Sequence, residues 1–212
     1  MELDHVLIAV TDLESAAATF EERFGLTSIE GGRHPGWGTA NRIVPLGSSY
    51  IELVAVVDEA AASGSPFGRW IAQGASAAGR PIGWAVRTDA IDDVATRLGV
   101  AVTDGSRRTP SGEVLRWRSA GVEGAIAEPA LPFFILWALG TRLPGTSEVS
   151  HPAAPVAISR LELVGDARRL SEWLGPSDIP IVVRDGRPRL ASVRLTTGRG
   201  DLVLSSEGPS PL

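Results

Sequence analysis

The sequence predicts an α+β fold in which paired βαβββ modules form a curved mixed sheet around a cavity, with a third, degenerate module at the C-terminus. Three segments share one pattern of a short apolar strand, an Asp, an amphipathic helix and a closing Gly: residues 4–25, 82–99 and 159–175. Strand-like runs separated by turn residues follow each helix, so the unit is written about three times. With one helix per unit, we expect the helices to cover one sheet face and leave the other free to curve around a cavity.

The first copy carries the clearest element signals. Residues 5–10 are rich in β-forming side chains, and Asp12 stands where a helix N-cap belongs. Apolar residues at helical spacing then run to Phe24, and Gly25 is typical of a helix C-terminus. Strands are predicted next over residues 26–30, 39–46 and 50–56.

The later copies repeat this order. Their helices are predicted to begin after Asp89 and Asp166 and to end at Gly99 and Gly175. Their strands are predicted over residues 100–103, 113–119 and 133–137, and then over residues 181–184, 190–196 and 201–205. The resulting division has a first module (1–57), a connecting segment with a short helix around residues 67–73 (58–80), a second module (81–140), a linker (141–156) and a degenerate third module (157–212).

Composition excludes several classes of function. The 212 residues, 43% of them hydrophobic, can bury a sizeable core. The net charge is −5 and no basic stripe is visible, so a nucleic-acid partner is not expected. The chain has no Cys, which excludes disulfides, zinc–thiolate sites and thiol nucleophiles. Without a signal peptide or a run of ~20 apolar residues, the sequence predicts a cytoplasmic protein with no membrane partner.

Three strings in the first half resemble a known superfamily. The opening LDHVLIAVTDLE, the segment HPGWGTAN and the strand YIELV, together with the repeat, resemble the vicinal oxygen chelate superfamily. That superfamily includes glyoxalase I, extradiol dioxygenases, epimerases and fosfomycin- or bleomycin-resistance proteins. Residues 31–54 resemble more narrowly the glyoxalase-like domain family. The resemblance covers residues 1–139 and extends to the third copy only by inference.

The resemblance implies a metal site of which this chain keeps half. In the superfamily two modules pair, and each contributes two metal ligands from its first and last strands. The matching positions of the first module hold His5 and Glu52. In the second module we take Ile82 as the counterpart of His5 and Leu136 as the counterpart of Glu52, and neither is a metal ligand. The third copy offers Arg160 and Val203 instead.

The cofactor expectation is therefore none, or a divalent metal weakly held by His5 and Glu52. Two protein ligands fall short of the three that are usual in catalytic zinc sites. His34 would supply a third ligand if its loop folds inward.

His5 and Glu52 are also the predicted catalytic residues. Period-2 alternation places His5 on one strand face with Leu7, and Glu52 on one face with Val54, so both side chains can point into a cavity. Three interpretations stay open: a hydrogen-bonded pair that survives from a metal-binding ancestor, a pair that orients a ligand, or a proton-transfer pair suited to enolisation of a carbonyl compound.

Five further residues are predicted to bind a ligand. For each of them a structural interpretation stands beside the functional one: a hairpin connection or core packing for the aromatic residues, and an edge-strand polar group for the amide. Arg116 and Arg118, which flank Trp117 with opposite parity, are either solvated or positioned to capture an anion. The five ligand-binding predictions are His34, Trp37, Asn41, Trp84 and Trp117.

The sequence thus predicts a glyoxalase-like domain protein that acts on a small oxygen-rich organic metabolite through the half-site of His5 and Glu52. If it is an enzyme, the resemblance implies a lyase, an isomerase or a dioxygenase-like member of the superfamily. Glyoxalase I activity is not expected, because that chemistry relies on the full metal site. The alternative is a non-catalytic small-molecule-binding or sequestering protein of the antibiotic-resistance type. A homodimer is compatible with either of these functions.

Overall fold

The computed structural model describes residues 1–206, and its first two thirds are two modules of the same element order. The first module consists of β1 (Glu2–Ala9), α1 (Leu13–Phe24), β2 (Ile29–His34), β3 (Thr39–Pro45) and β4 (Tyr50–Val56). Helices α2 (Glu59–Gly64) and α3 (Pro66–Gly74) connect it to the second module. That module consists of β5 (Arg80–Arg87), α4 (Ile91–Leu98), β6 (Val102–Arg108), β7 (Val114–Ala120), the short helix α5 (Val122–Ala127) and β8 (Phe133–Trp137).

The eight strands close into one barrel in the order β1-β4-β3-β2-β6-β7-β8-β5. Within each module the first and last strands pair in parallel, and β1 pairs antiparallel with β5 to join the modules. On the opposite side a single residue pair, Arg33 with Arg108, joins β2 to β6. The predicted curved mixed sheet of paired βαβββ modules around a cavity is confirmed.

The predicted N-cap at Asp12 forms, and Asp166 caps its helix in the same way. The Asp12 carboxylate accepts a hydrogen bond from Ser15 N at 2.7 Å, and that of Asp166 accepts from the first backbone N–H groups of its helix. The prediction for Asp89 is wrong. Ala90 directly precedes α4, and its N–H is bound by Thr88 Oγ1 at 3.2 Å. The second module is therefore offset by one residue from the spacing that the Asp residues suggest.

Two apolar cores lie on opposite faces of the barrel wall. The outer core contains Val6, Ile8 and Trp84, and helices α1 and α4 cover it. The inner core contains Leu7, Val54 and the buried apolar side chains of α3 and α5. Alternation along each strand divides its side chains between these cores, so only half of each strand can contribute to a site inside the barrel.

The third module has the predicted element order: β9 (Val156–Val164), α6 (Ala167–Leu174), β10 (Ile181–Arg184), β11 (Arg189–Thr197) and β12 (Gly200–Ser205). Its strand order, β10-β9-β11-β12, differs from that of the first two modules, because the strand after α6 returns parallel to β9. This sheet stays separate from the barrel and packs on the outer core. The predicted third module extends to residue 212, and its residues 207–212 lie outside the described part of the chain.

The described helices include none that has both the length and the apolar character needed to cross a bilayer. The module boundaries at residues 57, 80, 140 and 156 stay predictions.

Candidate functional site

A cavity of about 220 Å³ lies inside the barrel. His5 and Glu52 form part of its buried wall, while exposed residues of α3, β6 and α5 form its rim: Pro66, Asp104 and Glu123. This volume lies below the ~300–1,000 Å³ of common ligand pockets, so the cavity has room only for a small organic molecule.

Helix α3 fills the rest of the barrel and so determines the size of the cavity. It begins at Pro66 after the N-cap Ser65, whose hydroxyl accepts from Gly68 N at 3.2 Å. Phe67 then borders the cavity, and Trp70 lies against the backbone of Gly83 on β5. A Cβ atom at Gly83 would come within 2.4 Å of the Trp70 ring, so only glycine leaves room for that indole.

His5 is held in one orientation by the groups around it. Its Nδ1 lies 2.7 Å from Asp4 Oδ1, and its ring stacks on Tyr50 with 4.7 Å between centroids. Phe133 packs edge-on against the same ring. The other ring nitrogen, Nε2, lies 3.5 Å from Glu52 Oε2. The imidazole thus connects a carboxylate behind it to a carboxylate in the cavity wall.

Asp4 supports this arrangement as a buried anion. Besides the contact with His5, its Oδ2 accepts from Trp137 Nε1 at 3.0 Å and from Arg87 Nη1 at 3.3 Å. Burial raises the pKa of Asp4, but the hydrogen bond with His5, the other donors and the nearby cations outweigh it and hold the pKa below its ordinary value. Because Asp4 is ionised, the His5 nitrogen facing it is the protonated one.

Glu52 is held from the other side by an amide. Asn41 Nδ2 donates to Glu52 Oε1 at 2.5 Å, and Asn41 Oδ1 accepts from Arg107 Nη1 at 3.1 Å. These two contacts fix which end of the amide faces which partner. A chain of polar contacts therefore runs along one wall, from Asp4 through His5, Glu52 and Asn41 to Arg107.

The other walls are aromatic. The rings of Trp37 and Trp117 lie 5.9 Å apart between centroids, and those of Trp117 and Trp137 lie 5.4 Å apart. Phe67 packs on Trp37 at 4.7 Å. These four rings line the same cavity as the polar chain, so a ligand would meet both charged groups and aromatic rings.

His34 lines the cavity as a neutral, buried group. Its Nδ1 lies 3.1 Å from Thr39 Oγ1, and its ring contacts Trp37 and Trp117. Burial is the main cause that lowers the pKa of His34; Glu52 opposes it, Arg107 adds to it, and the resulting pKa is about 4. His34 ends β2, the 3-10 helix Pro35–Trp37 follows it, and both His34 and Trp37 line the cavity.

The structure brings six of the seven predicted site residues to this cavity: His5, Glu52, His34, Trp37, Asn41 and Trp117. Trp84 does not line it. Its indole is fully buried in the outer core, and its Nε1 donates to Ala130 O at 3.1 Å. Trp84 pairs across the strands with Val6, which also faces outward. Arg116 and Arg118 also lie outside the cavity, and Arg118 forms a two-pronged ion pair with Asp92.

The counterparts assigned to the half-site from sequence are wrong, although the conclusion drawn from them holds. The hydrogen bond from Val10 N to Val54 O recurs in the second module as Thr88 N to Ile135 O. Counting back along the strands from these bonds matches His5 to Gly83 and Glu52 to Phe133. Ile82 sits one residue away, at an irregularity of β5, and Leu136 packs on the outer core. A one-residue slip moves a strand residue to the opposite face.

The residues present do not fit a catalytic metal centre. Gly83 and Phe133 offer no ligand atom, and residues 1–206 contain no group of three His, Cys, Asp or Glu side chains placed to hold a metal ion. A carboxylate behind a histidine, as Asp4 stands behind His5, is common among metal ligands. His34 also lines the cavity, but within the described residues it is not grouped with His5 and Glu52 as a third ligand, whereas catalytic zinc sites have three protein ligands. No chemical step is therefore derived through a metal.

Sequence reasoning missed two polar members of the site, Asp4 and Arg107. Strict alternation points Asp4 away from His5, but an irregularity in the β1–β5 register between Leu3 and His5 brings both to the inner side. Arg107 lies beyond residue 103, where the predicted strand ended, whereas β6 continues to Arg108. The adjacency of Asp4 to His5 was the one available signal, and nothing in the sequence pattern marked Arg107.

The sequence matches the family model of the glyoxalase-like domain over residues 3–176. The chain belongs to the glyoxalase-like domain family. The match and the paired modules confirm the resemblance to the vicinal oxygen chelate superfamily. A comparison with proteins of curated function found no match.

Several solved structures are similar in fold to this glyoxalase-like protein. A hypothetical protein from Staphylococcus aureus has 16% identity and a TM-score of 0.69, covering 92% of this chain and 90% of its own. This likeness shows the fold alone. Methylmalonyl-CoA epimerase from Mycobacterium tuberculosis has 22% identity and a TM-score of 0.45, over 64% of this chain and 86% of its own. A Streptomyces coelicolor methylmalonyl-CoA epimerase variant, in complex with 2-nitronate-propionyl-CoA, has 20% identity and a TM-score of 0.48, over 66% of this chain and 99% of its own.

Proposed function

We propose that this glyoxalase-like protein binds a small oxygen-rich organic metabolite in the barrel and that His5 and Glu52 move a proton on it. The observation that carries the proposal is the buried contact of His5 Nε2 with Glu52 Oε2, at 3.5 Å, in the wall of a ligand-sized cavity. Both side chains are more than nine-tenths buried.

The pair shares one proton for a geometric reason. Since Asp4 accepts the Nδ1 proton of His5, the remaining nitrogen, Nε2, faces an oxygen of Glu52. Two lone pairs facing each other would repel, so one proton on either Nε2 or Oε2 satisfies both atoms. A pair that holds one mobile proton can act as base and acid in turn.

The reaction supported by this arrangement is enolisation of a carbonyl compound. Glu52 Oε2 takes a proton from the carbon next to the carbonyl, the C–H electron pair forms the C=C bond, and the carbonyl π pair moves to oxygen. The Nε2–H of His5 donates a hydrogen bond to that oxygen as it becomes negative. Return of the proton from Glu52 to carbon completes an isomerisation or, in D2O, an exchange.

Solvent exchange tests this directly. A panel of small carbonyl compounds, including 2-oxobutanoate, 2,3-pentanedione and hydroxyacetone, would be incubated with the protein in D2O and followed by proton NMR. We expect catalysed loss of the signal next to the carbonyl for at least one compound, and a loss of catalysis of about 100-fold or more in Glu52→Gln and His5→Asn. Glu22→Gln, on exposed helix α1, is the matched control. Equal exchange by wild type and Glu52→Gln would contradict the proposal.

A sequestering protein is the second candidate, and the aromatic wall favours it. Trp37, Trp117 and Trp137 together offer a platform on which a flat ligand stacks without any chemistry. A compound that quenches tryptophan fluorescence stoichiometrically, returns unchanged after release and shows no exchange would support sequestration. Loss of its binding in Trp117→Ala, with none in Glu52→Gln, would assign it to that wall.

We also propose that the protein acts in the cytoplasm. The homodimer stays a prediction. Light scattering after gel filtration measures the oligomeric state.

A further inference from the structure

Arg107 is a buried cation without an anion of its own. The residue is 5% exposed, and its only hydrogen bond within residues 1–206 runs from Nη1 to Asn41 Oδ1. Its Nε is enclosed and has no acceptor. No carboxylate of the described chain forms an ion pair with it, whereas the half-buried Arg87 is paired with Asp4 and Glu2. An unpaired buried charge is costly, and a protein normally gives it a partner.

The arrangement around Arg107 keeps the nearest carboxylate in the same wall away from it. Asn41 lies between Arg107 and Glu52, with its acceptor oxygen toward the guanidinium and its amide N–H toward the carboxylate. The site is also built closely around this contact. A Cβ atom at Gly31 would lie 2.2 Å from Asn41 Oδ1 and 2.7 Å from Arg107 Nη1, so glycine is needed beside them. The separation leaves Glu52 available for a proton and Arg107 available for a ligand.

We propose that Arg107 binds the carboxylate of the ligand, so that the substrate class is small 2-oxo acids or closely similar carbonyl acids. This inference rests on the proposed function, because it places the carboxylate at one end of the polar wall and the reacting carbon at the other. The N–H groups of a guanidinium match the oxygens of a carboxylate in geometry and in charge.

A carboxylate suits the cavity better than a phosphate. Arg107 is the only Arg among the cavity-lining residues, and His34 is neutral because burial holds its pKa near 4. Glu52, Asp104 and Glu123 also line the cavity, and the repulsion from their carboxylates is smaller for a monoanion than for a more highly charged phosphate. Phosphate binding sites instead commonly combine several N–H donors, as at helix N-termini.

The test compares two probes of nearly equal shape. 2-Oxobutanoate carries a carboxylate where 2,3-pentanedione carries an acetyl group, and binding of each is measured by calorimetry or tryptophan quenching. We expect wild type to bind the acid at least tenfold more tightly. Arg107→Gln should lose about tenfold to 100-fold in affinity for the acid, and less than threefold for the diketone. Arg108→Gln removes the same charge one residue along, on an exposed side chain, and should change neither.

Arg107→Lys is the second variant, since removal of a buried charge can affect folding. It keeps the cation and loses the paired N–H groups, so we expect a loss for the acid that is smaller than that of Arg107→Gln. If Arg107→Gln does not fold, this loss in Arg107→Lys, with diketone binding unchanged, decides the question.

The outcomes separate this inference from the proposed function. Equal weakening of both probes in the Arg107 variants, or a wild-type preference for the diketone, would overturn the carboxylate assignment even if exchange depends on Glu52. Inorganic phosphate that displaces 2-oxobutanoate at lower concentration than acetate does would also overturn it. Arg107-dependent binding of the acid without any exchange would instead support the carboxylate site and count against proton transfer.

Discussion

At the scale of single residues, the site depends on how Asp4 orients His5. The Asp4 carboxylate receives three donors, from His5, Trp137 and Arg87. A buried acceptor with three donors positions each of them more firmly than a solvated one could, since water cannot replace the contacts. The histidine therefore presents Nε2 to the cavity without the cost of ordering it during catalysis.

We expect Asp4→Asn to disturb this arrangement. The amide of Asn offers one acceptor oxygen and turns an N–H group toward donors, so unfolding free energy should fall by about 1–3 kcal/mol. Any exchange activity should fall further than ligand affinity, because the His5 ring loses its fixed orientation. Urea denaturation and the exchange assay measure the two effects. Asp92→Asn, which breaks a surface pair with Arg118, should change stability by at most about 1 kcal/mol.

His34 makes stability depend on pH in a definite direction. Its pKa is about 4 in the folded protein and has an ordinary value of 6.5, so between these values the unfolded chain holds a proton that the folded chain does not. Stability should therefore fall as pH is lowered from 6.5 to about 4, by up to about 3 kcal/mol from this group. Denaturation at pH 7 and pH 4.5 should show a smaller difference for His34→Gln than for wild type. An equal difference in both proteins would contradict the assignment.

At the scale of elements, Trp70 of α3 occupies the space beside β5 that a side chain at position 83 would need. Gly83 is the counterpart of His5, and the Trp70 ring lies where a side chain at Gly83 would stand. The first module thus supplies polar side chains at these two positions of the barrel, and the second module supplies packing at the corresponding positions. Phe133, the counterpart of Glu52, packs against His5 and so contributes to the site without contributing a ligand atom.

Gly83→Ala should destabilise the protein by about 1–3 kcal/mol, because the new methyl group would lie 2.4 Å from Trp70. Combining it with Trp70→Phe should cost less than the sum of the two single variants, since the smaller ring frees the space. Gly64→Ala, at a glycine with no neighbour within 4 Å, is the matched control and should not destabilise. Additive losses in the double variant would contradict the proposed competition for space.

The sequence predicted the modules well and their relative alignment less well. Strands β4 and β8 and the cap at Asp12 follow from alternation and local signals, which act within a few residues. The match of His5 to Ile82 relied on Asp89 as a cap, and Ala90 takes that place instead. The inward position of Asp4 depends on a register irregularity between β1 and β5. Register and bulges are set by contacts between distant strands, so no local pattern contained them.

At the scale of the whole molecule, the third module acts as a cover for the outer core. Trp173 of α6 packs over Gly121 and Gly124, and its Nε1 donates to Pro132 O at 2.8 Å. Strand β11 lies against β5. Side chains of the third module and of the barrel therefore share one apolar core, which links the stability of the two sheets.

Trp173→Ala should lower the free energy of unfolding by about 3–5 kcal/mol. Because the core is shared, the far-UV circular dichroism and tryptophan fluorescence transitions should still coincide in wild type. Val182→Ala, at a position 38% exposed on β10, should have little effect. Two separate wild-type transitions would contradict a shared core.

The central claim is that His5 and Glu52 transfer a proton without a catalytic metal. The measurement that tests it most directly is the rate of deuterium incorporation into 2-oxobutanoate, or into the most active compound of the panel, by protein freed of metal with a chelator. We predict that the chelated wild type retains its rate and that chelated Glu52→Gln loses it by about 100-fold or more. Loss of the wild-type rate on chelation, with recovery on adding a divalent metal, would contradict the account.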